Sequence, residues 1–135
     1  DKLINNKNIF MICAGTGITA MYSILNNILE NDNDLTSIKM INVNKTFSDI
    51  MLKDKLDNLI SIYKKQFKIY YFFKREKNKI KKNYFYGRPN KKDIRTVCSS
   101  NNDSTYLICG DVFFINSMNT YLQEIKISQN NIIIF

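Results

Sequence analysis

Gly15 and Gly17 lie two positions apart, after the apolar run Ile9–Cys13 and before a segment with helical periodicity. A helix N-terminus offers unpaired N–H groups and a positive dipole end, so a glycine turn at that point suits a phosphate group. A Cβ at either glycine would keep phosphates away from the backbone. Gly15-x-Gly17-x-x-Ala20 therefore fits the G-x-G-x-x-[GA] dinucleotide pattern, and the alternative is a strand-to-helix turn that simply needs small residues. No Gly-Lys-Ser/Thr follows, which excludes a P-loop.

Strands and helices alternate along the rest of the chain. Continuous apolar runs predict buried strands, and apolar residues three or four positions apart predict helices. A cap at Ser48 or Asp49 would begin the second helix. The strands are predicted at Ile9–Cys13, Ser37–Asn44, Phe67–Phe73, Thr105–Cys109 and Asn131–Phe135, the last of them buried. The helices are predicted around Met21, Leu56, Ile94–Cys98 and Met118, and polar loops are predicted at Asp1–Asn8 and Ser99–Ser104.

This alternation predicts an α/β fold: a Rossmann-like parallel sheet of about five strands with helices on both faces, in one domain over residues 1–135. In such a sheet a ligand binds at the carboxyl ends of the strands, where the strand order reverses. If the first and fourth strands flank that point, the loops Ala14–Thr19 and Cys109–Asp111 converge there. A glycine follows each of these strands closely, consistent with close approach to a ligand.

The amino-acid composition excludes several kinds of catalytic and metal-binding site. The chain has no histidine, which excludes Ser-His-Asp and Cys-His catalysis and histidine-ligated metals. Its three cysteines have neither the spacing of a metal site nor the even number of a disulfide framework, so we expect no metal and a reducing compartment such as the cytoplasm. No apolar run reaches transmembrane length, and the N-terminus is not a signal peptide. We therefore expect the chemistry to come from a bound cofactor.

The net charge of +8 is typical of nucleic-acid-binding proteins. No recognised nucleic-acid-binding motif accompanies that charge, and the abundance of Lys, Asn, Ile, Tyr and Phe is typical of an AT-rich genome. We therefore predict that nucleic acid is not a partner.

Several segments together resemble the ferredoxin–NADP reductase superfamily. Met11-Ile-Cys-Ala-Gly-Thr-Gly-Ile-Thr-Ala-Met21 is similar to its GGTGITPM loop, and Leu107-Ile-Cys-Gly110 to the start of its CGPPPM motif. Asn44-Lys-Thr-x-x-Asp49-Ile50 is similar to the N-x-T-x-x-D-I segment of the NADH–cytochrome-b5 reductase branch and the similar flavin end of nitrate reductase. The final NIIIF matches that branch, which also ends on a strand with a terminal aromatic residue. The resemblance covers essentially the whole chain.

The resemblance implies an NAD(P)H-binding domain that presents the nicotinamide for hydride transfer to FAD. The FAD would be held mainly by a separate β-barrel domain upstream, which is absent here, so this chain alone should not hold FAD tightly. Thr16 would lie near the nicotinamide, Cys109 and Gly110 on its other side, and Phe135 near the flavin domain. The cofactor-binding residues so implied are Gly15, Thr16, Gly17, Thr19, Gly110 and Phe135, and Cys109 would tune hydride transfer.

Each of these roles has a structural alternative. Thr16 would then be a plain helix cap, Cys109 a small buried residue that ends a strand, and Phe135 the last core residue. Cys13 and Cys98 are predicted to lie in the core. A non-catalytic nucleotide-binding or interaction domain of the same fold is the alternative function.

Two departures from the family motifs bear on activity. Ala20 stands where the family has the proline that follows GTGIT, and Asp111, Val112 and Phe113 stand where it has the prolines of CGPPP. Without the prolines we expect a less rigid loop, and Asp111 adds a negative charge near an anionic cofactor.

A third departure bears on nucleotide choice. Lys74 stands where the NADH-using branch has an acidic residue, and Arg75 follows, as in the Ser-Arg-Glu of the NADP-using branch. Because both cations suit a ribose 2′-phosphate, we predict that NADPH is tolerated. Further on, Lys77–Lys82 would form a solvated loop or, alternatively, steer an acidic haem-protein electron acceptor.

Overall fold

The structure, a computed structural model, describes residues 7–76, 81–98 and 104–135. Most of the predicted polar entry segment (1–6), the centre of the lysine-rich run (77–80) and most of the second polar loop (99–103) lie outside the described residues. The elements are β1 (Asn8–Ala14), α1 (Ile18–Leu29), β2 (Ser37–Asn44), α2 (Lys53–Ile62), β3 (Phe67–Phe73), β4 (Tyr84–Tyr86), α3 (Lys91–Val97), β5 (Ser104–Cys109), α4 (Val112–Glu124) and β6 (Ile132–Ile134).

The predicted α/β fold with a parallel sheet is confirmed. The strand order is β4-β3-β2-β1-β5-β6, and each neighbouring pair is parallel. The described part of the chain has six strands in place of about five, because Tyr84–Tyr86 pairs with Tyr71–Phe73 as an additional edge strand. Three residues are too short a run to show strand periodicity in a sequence.

Both faces of the sheet are covered, which explains why its central strands are mostly apolar. On one face α1 and α2 pack over a core that includes Met11 and Cys13 of β1. On the other face α3 and α4 pack over a core that includes Phe10 and Ile12 of the same strand. None of the described helices is both long enough and apolar enough to cross a membrane.

The start of the second helix was predicted wrongly. Asp49 does not cap α2: its carboxylate accepts hydrogen bonds from the Thr46 backbone N–H (3.1 Å) and the Thr46 hydroxyl (2.8 Å). The resulting short 3₁₀ turn at Phe47–Asp49 is a separate element, and α2 begins only at Lys53, after Leu52 in the left-handed conformation (φ 58°). The capping residues Thr46 and Asp49 therefore stabilise this short turn and do not cap the start of α2.

The final strand was also predicted wrongly, because it is not buried. Ile133 and Ile134 are 49% and 48% exposed, and β6 pairs with β5 along one side only. An apolar strand at the edge of a sheet has no neighbouring strand to cover it, so apolarity alone did not reveal its exposure.

The strand order reverses between β1 and β5. From β1 the chain builds outward through β2, β3 and β4, and then crosses to the other side of β1 to form β5. The turn after β1 and the loop after β5 therefore meet at the carboxyl edge of the sheet, as the sequence predicts for the first and fourth predicted strands.

Candidate functional site

A cleft of about 630 Å³ opens at this carboxyl edge. Its volume lies within the range of small-molecule and cofactor sites. Four neighbouring strands contribute to it through the residues at or just after their carboxyl ends. The lining residues are Ala14, Gly15, Thr16, Gly17, Thr19, Ala20, Val43, Asn44, Lys45, Asp49, Lys74, Cys109, Gly110 and Asp111.

The cleft has two ends of different character. We call the turn Gly15–Gly17 together with Cys109 and Gly110 the glycine end, and Asn44, Lys45 and Lys74 the lysine end. The glycine end follows β1 and β5, and the lysine end follows β2 and β3.

At the glycine end, a 3₁₀ turn over Gly15–Gly17 leads directly into α1. Among the described residues no side chain caps either helix, and the first turn of α1 carries no acidic residue. The Thr19 hydroxyl donates to the Thr16 carbonyl (2.9 Å) and so leaves the helix N–H groups uncapped. The interpretation of Thr16 as a helix cap is therefore wrong, and the uncapped N-terminus has the geometry that suits an anion.

Glycine is required at positions 15 and 17 for different physical reasons. This finding corrects the prediction that both glycines make room for phosphates. At Gly15 (φ +56°) a Cβ would meet nothing within 4 Å, so that position does open onto free space. At Gly17 a Cβ would lie 2.7 Å from the Cys109 carbonyl oxygen and 3.3 Å from the Cys109 Cβ. Gly17 is needed for close packing of the turn against the end of β5.

The loop after β5 is anchored at the start of α4. Asp111 is the N-cap of α4, and its carboxylate accepts a hydrogen bond from the Phe114 backbone N–H (2.8 Å). A Cβ at Gly110 would lie 2.6 Å from the Phe114 ring, so the loop also packs closely. The Asp111 carboxylate, which the sequence analysis considered only as a negative charge near an anionic cofactor, thus also has a structural role at a helix N-terminus.

Cys109 is half-buried between the cleft and the core. Its side chain packs against the core on the α1 and α2 face, where its in-register neighbour Cys13 is fully buried. Burial raises the pKa of the Cys13 thiol, and the nearby Cys109 adds to the shift. Cys98 lies in the core of the opposite face, where burial raises its pKa to about 12. The predicted core positions of Cys13 and Cys98 are confirmed.

The lysine end contains the two cations Lys45 and Lys74, and the nearby carboxylates of Asp49 and Glu76 hydrogen-bond backbone N–H groups and form no ion pair with these lysines. Asp49 accepts from Thr46, and Glu76 accepts from the Phe47 backbone N–H (2.5 Å). Neither Lys45 nor Lys74 takes part in an ion pair among the described residues. Burial of Asn44 is almost complete (4% exposed), and its amide nitrogen donates to the Asn42 side-chain oxygen (3.0 Å).

The structure brings together most, but not all, of the residues predicted for the site. Gly15, Thr16, Gly17, Thr19, Lys74, Cys109 and Gly110 line one cleft. Arg75 is exposed and is not among the lining residues; its backbone N–H pairs with the Lys45 carbonyl (3.0 Å). Phe135 is also outside the lining and is 49% exposed, so it is not a core residue; its N–H donates to the Ile108 carbonyl (2.9 Å).

Asn44 and Lys45 line the cleft but were not predicted as site residues. A signal was present, since they follow the apolar part of β2 and the carboxyl ends of parallel strands meet at one edge. Asp49 and Asp111 also line the cleft, although each carboxylate hydrogen-bonds a backbone N–H.

The fold and this cleft define a nucleotide-binding α/β domain. Residues 11–120 match the family model of the oxidoreductase NAD-binding domain, and the chain belongs to that family. Together with the relatives described next, this match confirms the resemblance to the ferredoxin reductase superfamily and its cytochrome-b5 reductase branch.

Individual relatives agree. NADH-cytochrome b5 reductase 1 of Dictyostelium discoideum is 35% identical over 132 residues, covering 96% of this chain and 44% of its own length. NADH-cytochrome b5 reductase 2-B of Vanderwaltozyma polyspora is 31% identical over 117 residues, covering 82% and 37%. The crystal structure of the cytochrome b5 reductase domain of Ulva prolifera nitrate reductase superposes with a TM-score of 0.87 at 26% identity, covering 96% of this chain and 50% of that one. This chain therefore spans less than half the length of each of the two NADH-cytochrome b5 reductases.

Proposed function

We propose that this NAD-binding domain presents NAD(P)H for hydride transfer to FAD in an oxidoreductase of the cytochrome-b5 reductase type. The FAD would be held mainly by a flavin-binding domain elsewhere in the same polypeptide. The observation that carries the proposal is the uncapped N-terminus of α1, which opens into a cleft of cofactor size at the switch point of the sheet. Membership of the NAD-binding family supports it.

The glycine end would hold the reacting half of the nucleotide. A bound reduced nicotinamide supplies the hydride. Backbone N–H groups of the Gly15–Gly17 turn and of the start of α1 would bind the pyrophosphate, because the open space at Gly15 lets phosphates approach the backbone. Thr16 and Thr19 would line this part, while Cys109 and Gly110 would form the opposite wall and orient the ring.

The flavin domain would dock beside the glycine end. Val112 and Phe113, in the first turn of α4, are 74% and 84% exposed, and the half-exposed Phe135 follows the edge strand β6 and hydrogen-bonds Ile108 of β5. Exposed apolar groups of this size favour a protein partner. The structural relative from Ulva prolifera has as much chain again outside the matched region, which supports a second domain as the occupant.

The lysine end would set the nucleotide preference. Lys74 and Lys45 lie at the ends of neighbouring strands, so their positive charges favour a ribose 2′-phosphate. We therefore propose that NADPH is tolerated, with Lys45 in the place that the sequence suggested for Arg75. The two reductase relatives are named as NADH enzymes, which makes this preference a point of difference.

The acidic haem-protein acceptor is proposed only for the polypeptide that contains the flavin. Lys81 and Lys82, the described end of the lysine-rich run, are exposed and available to an acidic surface. Electrostatic steering of this kind weakens as salt rises.

The test uses the polypeptide with its flavin domain and follows flavin bleaching under anaerobic stopped-flow conditions. We expect NAD(P)H to bleach the flavin, and Cys109→Ser to slow bleaching by about tenfold or more through nicotinamide misplacement. Nucleotide affinity, measured by calorimetry, should change less than the rate.

The matched control is Cys98→Ser, because Cys98 is buried on the opposite face of the sheet. An unchanged rate in Cys109→Ser would leave Cys109 with a structural role only. Tight nucleotide binding without any flavin bleaching in the wild type would favour the alternative of a non-catalytic domain of the same fold.

A further inference from the structure

Cys13 and Cys109 are direct neighbours on adjacent strands. They are in-register partners of the parallel pair β1–β5, and adjacent strands lie about 4.8 Å apart. Cys13 belongs to the core on the α1 and α2 face, and Cys109 packs against that same core. Both thiols are free.

This placement is compatible with a covalent bond between the two sulfurs. Disulfides join residues whose Cα atoms are about 4.4–6.8 Å apart, provided that the side chains point toward the same region. Register satisfies the first condition, and the shared core face satisfies the second. Cys98 satisfies neither, because it follows α3 and lies in the core of the opposite face.

The two thiols differ in access. Cys13 is fully buried, whereas Cys109 is partly exposed and lines the cleft, so an oxidant entering the cleft meets Cys109 first. Burial raises the pKa of the Cys13 thiol, which makes it unreactive toward an oxidant in solution. Its position next to Cys109, in register and on the same core face, nevertheless allows it to react with an oxidised Cys109 sulfur.

We propose that Cys13 and Cys109 form a reversible intrachain disulfide when the domain meets hydrogen peroxide. The Cys109 thiolate attacks the peroxide, the O–O bond breaks, and Cys109 sulfenic acid and hydroxide form. The Cys13 sulfur then attacks the Cys109 sulfur, the S–O bond breaks, and the sulfenic oxygen leaves with the Cys13 proton as water. Two thiols are oxidised to one disulfide, and one peroxide is reduced.

The bond would change the glycine end of the cleft. The Cys109 carbonyl and Cβ are the atoms against which Gly17 packs, so drawing Cys109 toward β1 disturbs the turn that leads into α1. We expect oxidation to weaken nucleotide binding and bound nucleotide to shield Cys109. This consequence rests on the proposed function, whereas formation of the disulfide does not.

The test treats the chain with hydrogen peroxide and counts free thiols after denaturation, followed by peptide mass spectrometry without reduction. We expect the number of free thiols to fall from three to one, and a linked peptide pair to contain Cys13 and Cys109. The oxidised protein should remain a monomer, and dithiothreitol should restore all three thiols. Cys98→Ser is the matched control and should lose both of its thiols in the same linkage.

Cys13→Ala should form no intrachain disulfide, and its Cys109 should proceed to sulfinic acid. A linkage that includes Cys98, a disulfide between two chains, or sulfinic acid on wild-type Cys109 beside an intact Cys13 thiol would overturn the proposal. Disulfide formation at the same rate with saturating NAD⁺ present would instead contradict the proposed nucleotide site and leave the cysteine pair standing.

Discussion

The two ends of the cleft achieve binding geometry in different ways. At the glycine end the shape comes from backbone packed on backbone, with Gly17 against the Cys109 carbonyl. At the lysine end it comes from side chains, with Lys45 and Lys74 outside the ion pairs of the described residues. A packed backbone tolerates little change, whereas a partly exposed charge can be altered without disturbing the fold.

Replacement of Gly17 tests the glycine end most severely. We expect Gly17→Val to lower the free energy of unfolding by about 3 kcal/mol, because its Cβ would overlap the Cys109 carbonyl and the overpacked backbone must shift. Nucleotide binding should be lost together with stability. Urea denaturation and calorimetric titration with NADH measure the two effects.

Gly15→Ala is the matched control for Gly17→Val. Its Cβ would enter open space, so the expected cost is only the left-handed backbone, about 1–2 kcal/mol. A Gly17→Val protein as stable as the wild type but unable to bind nucleotide would show that Gly17 serves phosphate access, and the distinction drawn between the two glycines would be wrong.

Charge reversal at Lys74 tests the lysine end. Lys74→Asp should shift the ratio of NADPH to NADH affinity by about tenfold toward NADH, since a charge-assisted hydrogen bond is worth about 1.5–3 kcal/mol and exposure reduces it. The shift should shrink between low and moderate salt because screening weakens exposed charges. Calorimetry with both nucleotides measures the ratio, and the fold should stay intact.

Two further variants sharpen this result. Lys45→Asp should shift the ratio in the same direction, because Lys45 lines the cleft next to Lys74. Arg75→Asp should shift it less than either, because Arg75 lies outside the lining. If Arg75→Asp has the largest effect, or if the wild type rejects NADPH, the assignment of the lysine end is wrong.

Replacement of Asp111 should have the smallest effect, because Asp111 lines the cleft but its carboxylate caps helix α4. Asp111→Ala should lower the free energy of unfolding by about 1 kcal/mol through loss of the α4 cap. Asp111→Asn keeps a capping oxygen and removes the charge, so its stability should match the wild type. Equal stability of all three proteins in urea denaturation would show that the cap contributes nothing measurable.

The sequence by itself determined the alternation of strands and helices and the position of the glycine turn. The apolar run in β1 and the largely apolar segments in β2, β3 and β5 favour burial on both faces of a sheet, and together with the alternation of strands and helices they predict a parallel α/β fold. The motifs around Gly15 and Cys109 also sufficed to identify the family. Each of these features depends only on the residues of its own chain segment, so it can be recognised without knowing how distant segments pack.

Tertiary structure decided which residues share the cleft. The sequence could not show that Gly17 packs on Cys109, that Asp49 and Glu76 are engaged by backbone N–H groups, or that Lys45 rather than Arg75 lines the cleft with Lys74. Nor could it show that Cys13 and Cys109 lie side by side, or that β6 is an exposed edge. Each of these facts depends on strand order and register, which bring together residues up to about 100 positions apart, and a one-residue change in register would place different side chains at the site.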